Sequence, residues 1–118
     1  MNPEFCVTRT VLGAPLTARV QLVDGGVRAE VYGGTRPHIG AVSIARPGGA
    51  ITPTQFPTHR DGAVSARWAE ALAAAGLRPA VVLAGIHYDG LSPEGIRQVL
   101  AASDRLLQEI LQQLGTKC

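Results

Sequence analysis

All three histidines of this chain fall in short motifs flanked by glycine or proline, and two of those motifs repeat one pattern. His59-Arg60-Asp61-Gly62 and His87-Tyr88-Asp89-Gly90 both read His-x-Asp-Gly, while His38 lies in Pro37-His38-Ile39-Gly40. In extended backbone, side chains two residues apart point the same way, so each His-x-Asp pair can present an imidazole beside a carboxylate. That pairing suits ligation of a divalent metal ion, or a histidine whose tautomer is fixed by its own carboxylate. A metal site would draw on His59, Asp61, His87 and Asp89, or on the three histidines with an aspartate as a fourth ligand or as a support to one of them. Its ligands come from separated loops, so spacing alone does not establish it.

Each motif also has a plain structural reading. His38 can be a strand-edge imidazole bonded to a neighbouring carbonyl. Asp61 can cap a helix and leave His59 in solvent, and Asp89-Gly90 can form a turn held by its own side chain. His87 is the strongest functional candidate, because Gly85-Ile86-His87 ends an apolar strand, where ligands collect. Gly33-Gly34 with Gly40 offers a turn whose amides can approach an anion.

Other chemistries find little support. There is no Gly-x-Ser-x-Gly elbow, His-Glu-x-x-His, Walker loop or Cys-x-x-Cys. Cys6 and Cys118 lie near the two ends, form no disulfide framework and occupy no activated setting, which suits a reducing cytoplasm. The net charge is +2, with ten arginines scattered against one lysine and 4% aromatic residues, so the basic stripe and stacking aromatics of a nucleic-acid binder are missing. No apolar run approaches the roughly 18 residues of a membrane span, and Met1-Asn2-Pro3-Glu4-Phe5 carries no secretory pattern.

The elements that must position these motifs fall in two halves of one expected domain, residues 1–118. Residues 5–45 read as a β-meander. Strands are expected over 7–12, 17–23, 27–32 and 39–45, with turns at Gly13-Ala14-Pro15, Asp24-Gly25-Gly26 and Gly33-Gly34. Ala18, Val20 and Leu22, then Val27, Ala29 and Val31, alternate with polar residues, as in an antiparallel sheet covered on one side. Residues 46–60 read as a loop rich in Pro, Gly and Thr. A helix is expected over 63–75, capped by Asp61 and stopped by Gly76, then a buried strand over 79–84. Ser92-Pro93-Glu94 starts a second helix, whose stripe runs through Ile96, Val99, Leu100, Ser103, Leu106, Leu107, Ile110, Leu111 and Leu114. The expected fold is α+β: an antiparallel sheet of four meander strands plus a later buried strand, with two helices on one face.

Gly33-Gly34-Thr35-Arg36-Pro37-His38-Ile39-Gly40-Ala41-Val42, Thr58-His59-Arg60-Asp61 and Ala84-Gly85-Ile86-His87-Tyr88-Asp89-Gly90-Leu91-Ser92 resemble the small prenylated-flavin chaperones. These proteins accompany UbiD-type decarboxylases, notably gallate decarboxylase. The resemblance spans nearly the whole chain in length and motif order. It implies binding of prenylated FMN and its delivery to the large decarboxylase subunit, with no catalysis by this chain. The cofactor-binding residues it implies are Arg36, Pro37, His38, Ile39, Gly40, Ala41, Ile86, His87 and Tyr88. On this reading the turn at 37–41, beside Arg36, holds the phosphate, and Ile39, Ile86, Tyr88 or Phe56 lines a slot for the ring. His59, Asp61, His87 and Asp89 bind a divalent metal or the flavin heteroatoms. Two rival readings are a structural small subunit that binds no cofactor, and a small metal-dependent hydrolase or decarboxylase using the His-x-Asp pairs. The one-sided sheet also leaves room for a homo-oligomer.

Overall fold

The computed structural model of the chain describes residues 4–47, 51–56 and 61–117. Its sheet begins with two tight turns. Leu12 and Gly13 adopt positive φ (51° and 80°), as do Asp24 and Gly25 (46° and 85°), the backbone whose twist matches that of flanking strands. These turns join β1 (Glu4–Val11), β2 (Ala14–Val23) and β3 (Gly26–Gly34) in antiparallel register, with Thr8 opposite Thr17 and Val20 opposite Ala29. The first turn thus lies ahead of the expected Gly13-Ala14-Pro15. Proline's fixed negative φ bars it from such a turn, and Pro15 already belongs to β2. The expected alternation holds: Leu16, Ala18, Val20, Val27, Ala29 and Val31 are buried, while Arg19, Arg28 and Glu30 face outward.

The sheet is larger than expected and is not a meander throughout. With β4 (Ala41–Ala45), β5 (Ile51–Gln55) and β6 (Ala80–His87) it has six strands in the order β1-β2-β3-β6-β4-β5. β6 inserts between β3 and β4, parallel to the first and antiparallel to the second. Its sequence explains the place: Ala80, Val82 and Ala84 are buried on one face while Val81 and Leu83 are half-buried on the other, and a strand apolar on both faces belongs in a sheet's interior. β5 lies inside the stretch expected to be a loop. It pairs with β4 at the sheet edge, with Pro53 opposite Ser43, and an edge is where a strand tolerates proline.

α1 (Gly62–Ala74) and α2 (Pro93–Lys117) cover one face of the sheet, as expected. Trp68 and Leu72 of α1 join Leu106, Leu107 and Ile110 of α2 over the inward strand residues, all fully buried. The Trp68 indole donates to Ser103 Oγ at 3.1 Å, which satisfies both groups between the helices. Gly76, at φ 93°, ends α1, and Ser92 Oγ caps α2 by accepting from the Gly95 amide at 3.1 Å. The α2 stripe is not closed along its whole length. Ile96 and Leu100, near the start of the helix, are 47% and 48% exposed. No helix among the described residues is long and apolar enough to cross a membrane.

Candidate functional site

Because β3 and β6 are parallel neighbours, their C-terminal ends coincide, with Gly34 opposite His87. β4 lies beyond β6, so the chain leaving β3 must cross the end of β6 to reach it. Residues 35–40 make that crossing in close contact. Thr35 and Arg36 amides donate to the His87 carbonyl at 2.7 and 3.3 Å, the His38 amide to Gly85 at 3.5 Å, and the Gly40 amide to Ala84 at 2.9 Å. A β-carbon on Gly85 would strike the His38 carbonyl, so only glycine admits the crossing there. Topology thereby brings two of the three sequence motifs together.

The third arrives with α1. Asp61 stands at the N-terminus of that helix, but its side chain makes no capping bond. Its Oδ1 instead accepts from the Ile86 amide and its Oδ2 from His38 Nε2, both at 3.0 Å. The expected capping role is therefore corrected: a carboxylate 6% exposed must have its oxygens satisfied, and β6 and His38 do so. Gln55 Oε1 takes the Gly62 amide at 3.0 Å in its stead. On its other side His38 Nδ1 lies 3.0 Å from the Arg36 carbonyl, the contact expected of a strand-edge imidazole. Gly40 makes room for this pair, since a β-carbon there would meet the Asp61 carboxylate and the His38 ring.

A second cluster lies at the exposed rim. His87 Nε2 and the Arg36 guanidinium both donate to Asp89 Oδ1, each at 3.0 Å. Thr35 Oγ1 accepts from the Asp89 amide at 3.2 Å and donates to the His87 carbonyl at 3.3 Å. Arg36 foremost, then His87 and Thr35, hold the Asp89 carboxyl down from 3.8 to about 2. Tyr88, between the two, turns inward. Its hydroxyl donates to the Ala14 carbonyl at 3.2 Å, and burial pushes the phenol up.

The expected metal set does not assemble among the described residues, which contain no group of three or more candidate ligands. Asp61 is engaged by His38 and an amide, whereas the Asp89 carboxylate is taken by His87 and the Arg36 guanidinium. His59 lies outside the described residues.

Two cavities flank the crossing. The first, about 340 Å³, opens where the end of β6 meets the starts of both helices. His38, Asp61, Ile86, His87 and Tyr88 line it, together with Val64, Leu91, Ile96, Val99 and Leu100. The second, about 220 Å³, lies by Glu30, Tyr32 and Leu83 and takes in Pro37, His38 and Ile39. Gly40 and Ala41 are buried and line neither; Phe56 is 43% exposed and also lines neither. The turn at 37–41 has little amide capacity for an anion: Pro37 has no N–H, the His38 and Gly40 amides are committed to β6, and Ala41 is in β4. The helix residues of the larger cavity escaped the sequence reading, because Ile96, Val99 and Leu100 match a core stripe. The stripe by itself does not separate Val99, which is buried against Ala14 and Tyr88, from Ile96 and Leu100, which are half exposed.

The family model of the prenylated flavin chaperone LpdD-like domain matches residues 11–115, and the chain belongs to that family. The resemblance read from the motifs is thereby borne out, and membership in a chaperone family points to an accessory protein. Among solved structures, a chain in the crystal structure of a novel chaperone complex for yeast 20S proteasome assembly superposes with a TM-score of 0.55 at 15% identity, over 96% of each chain. At that identity the likeness is one of fold. No curated protein matches the chain.

Proposed function

We propose that this protein binds prenylated FMN and hands it to an apo UbiD-type aromatic-acid decarboxylase. The observation that carries this reading is the cavity of about 340 Å³ at the end of β6, apolar on its helix side and polar on its loop side, in a chain of the prenylated flavin chaperone family. Ligand pockets run from roughly 300 to 1,000 Å³, so this one is sized for a ring system rather than for the whole cofactor. Ile86, Ile96 and Leu100 offer apolar contact to the ring, and His87 offers polar contact along its edge. The ribityl phosphate then lies outside, toward Arg36. An open mouth suits a carrier, which must release what it binds.

The enzyme alternative, a metal-dependent hydrolase or decarboxylase using the His-x-Asp pairs, has less support, because the chain belongs to a family of chaperones. The test is an anaerobic titration with prenylated FMN followed by absorbance and fluorescence, with FMN as control and with and without divalent metal. Saturable binding with a changed spectrum, followed by activation of an apo-decarboxylase on mixing, supports the carrier. No binding under any of these conditions would sink it and leave a structural subunit.

A further inference from the structure

We propose that Arg36 and His87 form a subsite for a phosphate monoester at the mouth of the larger cavity, and that the Asp89 carboxylate occupies it until a ligand's phosphate displaces it. The inference rests on reading that cavity as the ligand site and goes on to say what holds the ligand's charged end.

Two donors from different segments, Arg36 before the crossing and His87 at the end of β6, converge on the single oxygen Oδ1 of Asp89 at 3.0 Å each. A guanidinium and an imidazole aimed at one anionic oxygen would receive a phosphate oxygen in the same way. The side chains of Arg36, Asp89 and His87 are 73%, 60% and 43% exposed. Ion pairs so open to water contribute little to stability, so the cluster is reachable and its contacts are readily exchanged.

His87 lines the cavity and Asp89 does not. A ligand seated in the cavity therefore meets the imidazole from one side while the carboxylate holds it from the other. The carboxylate stays ionised at neutral pH, which makes it a lasting stand-in for an anion. It can also leave without undoing its loop, because the turn is fixed by the backbone: the Asp89 amide on Thr35 Oγ1, and Thr35 on the His87 carbonyl. When the ligand departs, the carboxylate returns and the two donors are never left without an anion. Exchange of one anion for another lowers affinity for the phosphate and favours hand-over.

The test compares the full chain with Asp89→Asn. Inorganic phosphate is titrated first, following the His87 and Arg36 side-chain resonances by NMR, then FMN and riboflavin by fluorescence. Asp89→Asn is expected to bind phosphate and FMN about tenfold more tightly, with riboflavin unchanged. Adding Arg36→Gln to that variant should remove the gain, and Asp89→Ser, which also deletes the charge, should reproduce it. Equal phosphate affinity in the two proteins, or a gain that survives Arg36→Gln, overturns the proposal. Phosphate binding is read without flavin, so a phosphate gain in a protein that binds no flavin keeps the subsite and refutes the carrier. Flavin binding without the phosphate gain refutes the subsite alone.

Discussion

Asp61 and His38 meet at 3.0 Å between Oδ2 and Nε2, although Asp61 begins a helix and His38 lies in a strand crossing. The carboxylate turns away from its own helix and ties three pieces together: the start of α1, the Ile86 amide of β6 and the 35–40 crossing. Its oxygens are shielded from water, so the network stands or falls with its partners.

Removing that carboxylate should therefore cost stability. Asp61→Ala leaves the Ile86 amide and the His38 ring without their acceptor, for an expected loss of about 2–3 kcal/mol. Asp61→Asn keeps an oxygen for the Ile86 amide and should lose about half as much. Urea unfolding of both variants measures the difference, and an Asp61→Ala protein as stable as the parent would refute the network.

Glycine at the crossing makes a sharper claim. Gly85→Ala drives a methyl into the His38 carbonyl, and Gly40→Ala drives one into the Asp61 carboxylate. The His38 carbonyl cannot give way without lifting the crossing from β6, and the Asp61 carboxylate only by breaking its bonds to His38 and the Ile86 amide, so each should destabilise by about 2 kcal/mol or more. Gly76→Ala meets no atom within 4 Å, but its φ of 93° still disfavours alanine, with an expected cost of about 1 kcal/mol. Thermal unfolding should rank the three, with Gly76→Ala the mildest.

Acid titration should reveal the rim cluster. The folded carboxyl of Asp89 titrates below its ordinary value, at about 2 rather than 3.8. Its contribution to stability is thus complete above about pH 4 and is lost as the pH falls toward 2, because the unfolded chain takes up the proton first. Asp89→Asn should flatten the stability profile in that window and leave its slope unchanged near neutrality, where the small contribution of the carboxylate is lost outright. A profile that does not respond to the substitution would mean the Arg36 contact is not made in solution.

Much of this arrangement was legible in the residues, and the failures share a cause. Period-two alternation marked the covered face of β2 and β3, and Gly76 and Ser92-Pro93 marked helix ends, because each is a local property of the backbone. The place of β6 beside β3 is tertiary, and no local pattern encodes which strands become neighbours. β5 was hidden by Pro53, whose meaning changes once the strand is known to be an edge. The pairing of His87 with Asp89 followed from their spacing, whereas the partnership of Asp61 with His38 needed the crossing, and that of Arg36 with Asp89 needed the parallel ends of β3 and β6.

The open end of the α2 stripe separates a core from a binding surface. Leu106 is fully buried, and Leu106→Ala should cost about 3 kcal/mol. Ile96 and Leu100, half exposed beside the cavity, have much less to lose on folding, so Ile96→Ser with Leu100→Ser should cost under about 1 kcal/mol. If a flavin ring covers them, binding buries the remainder of both side chains, and the double substitution should weaken prenylated FMN by about tenfold or more. Calorimetric unfolding and the anaerobic titration, run on the same preparation, read the two effects apart. A folded double variant with undiminished affinity would place the ring elsewhere, whereas a large loss of stability would show these residues to be core after all.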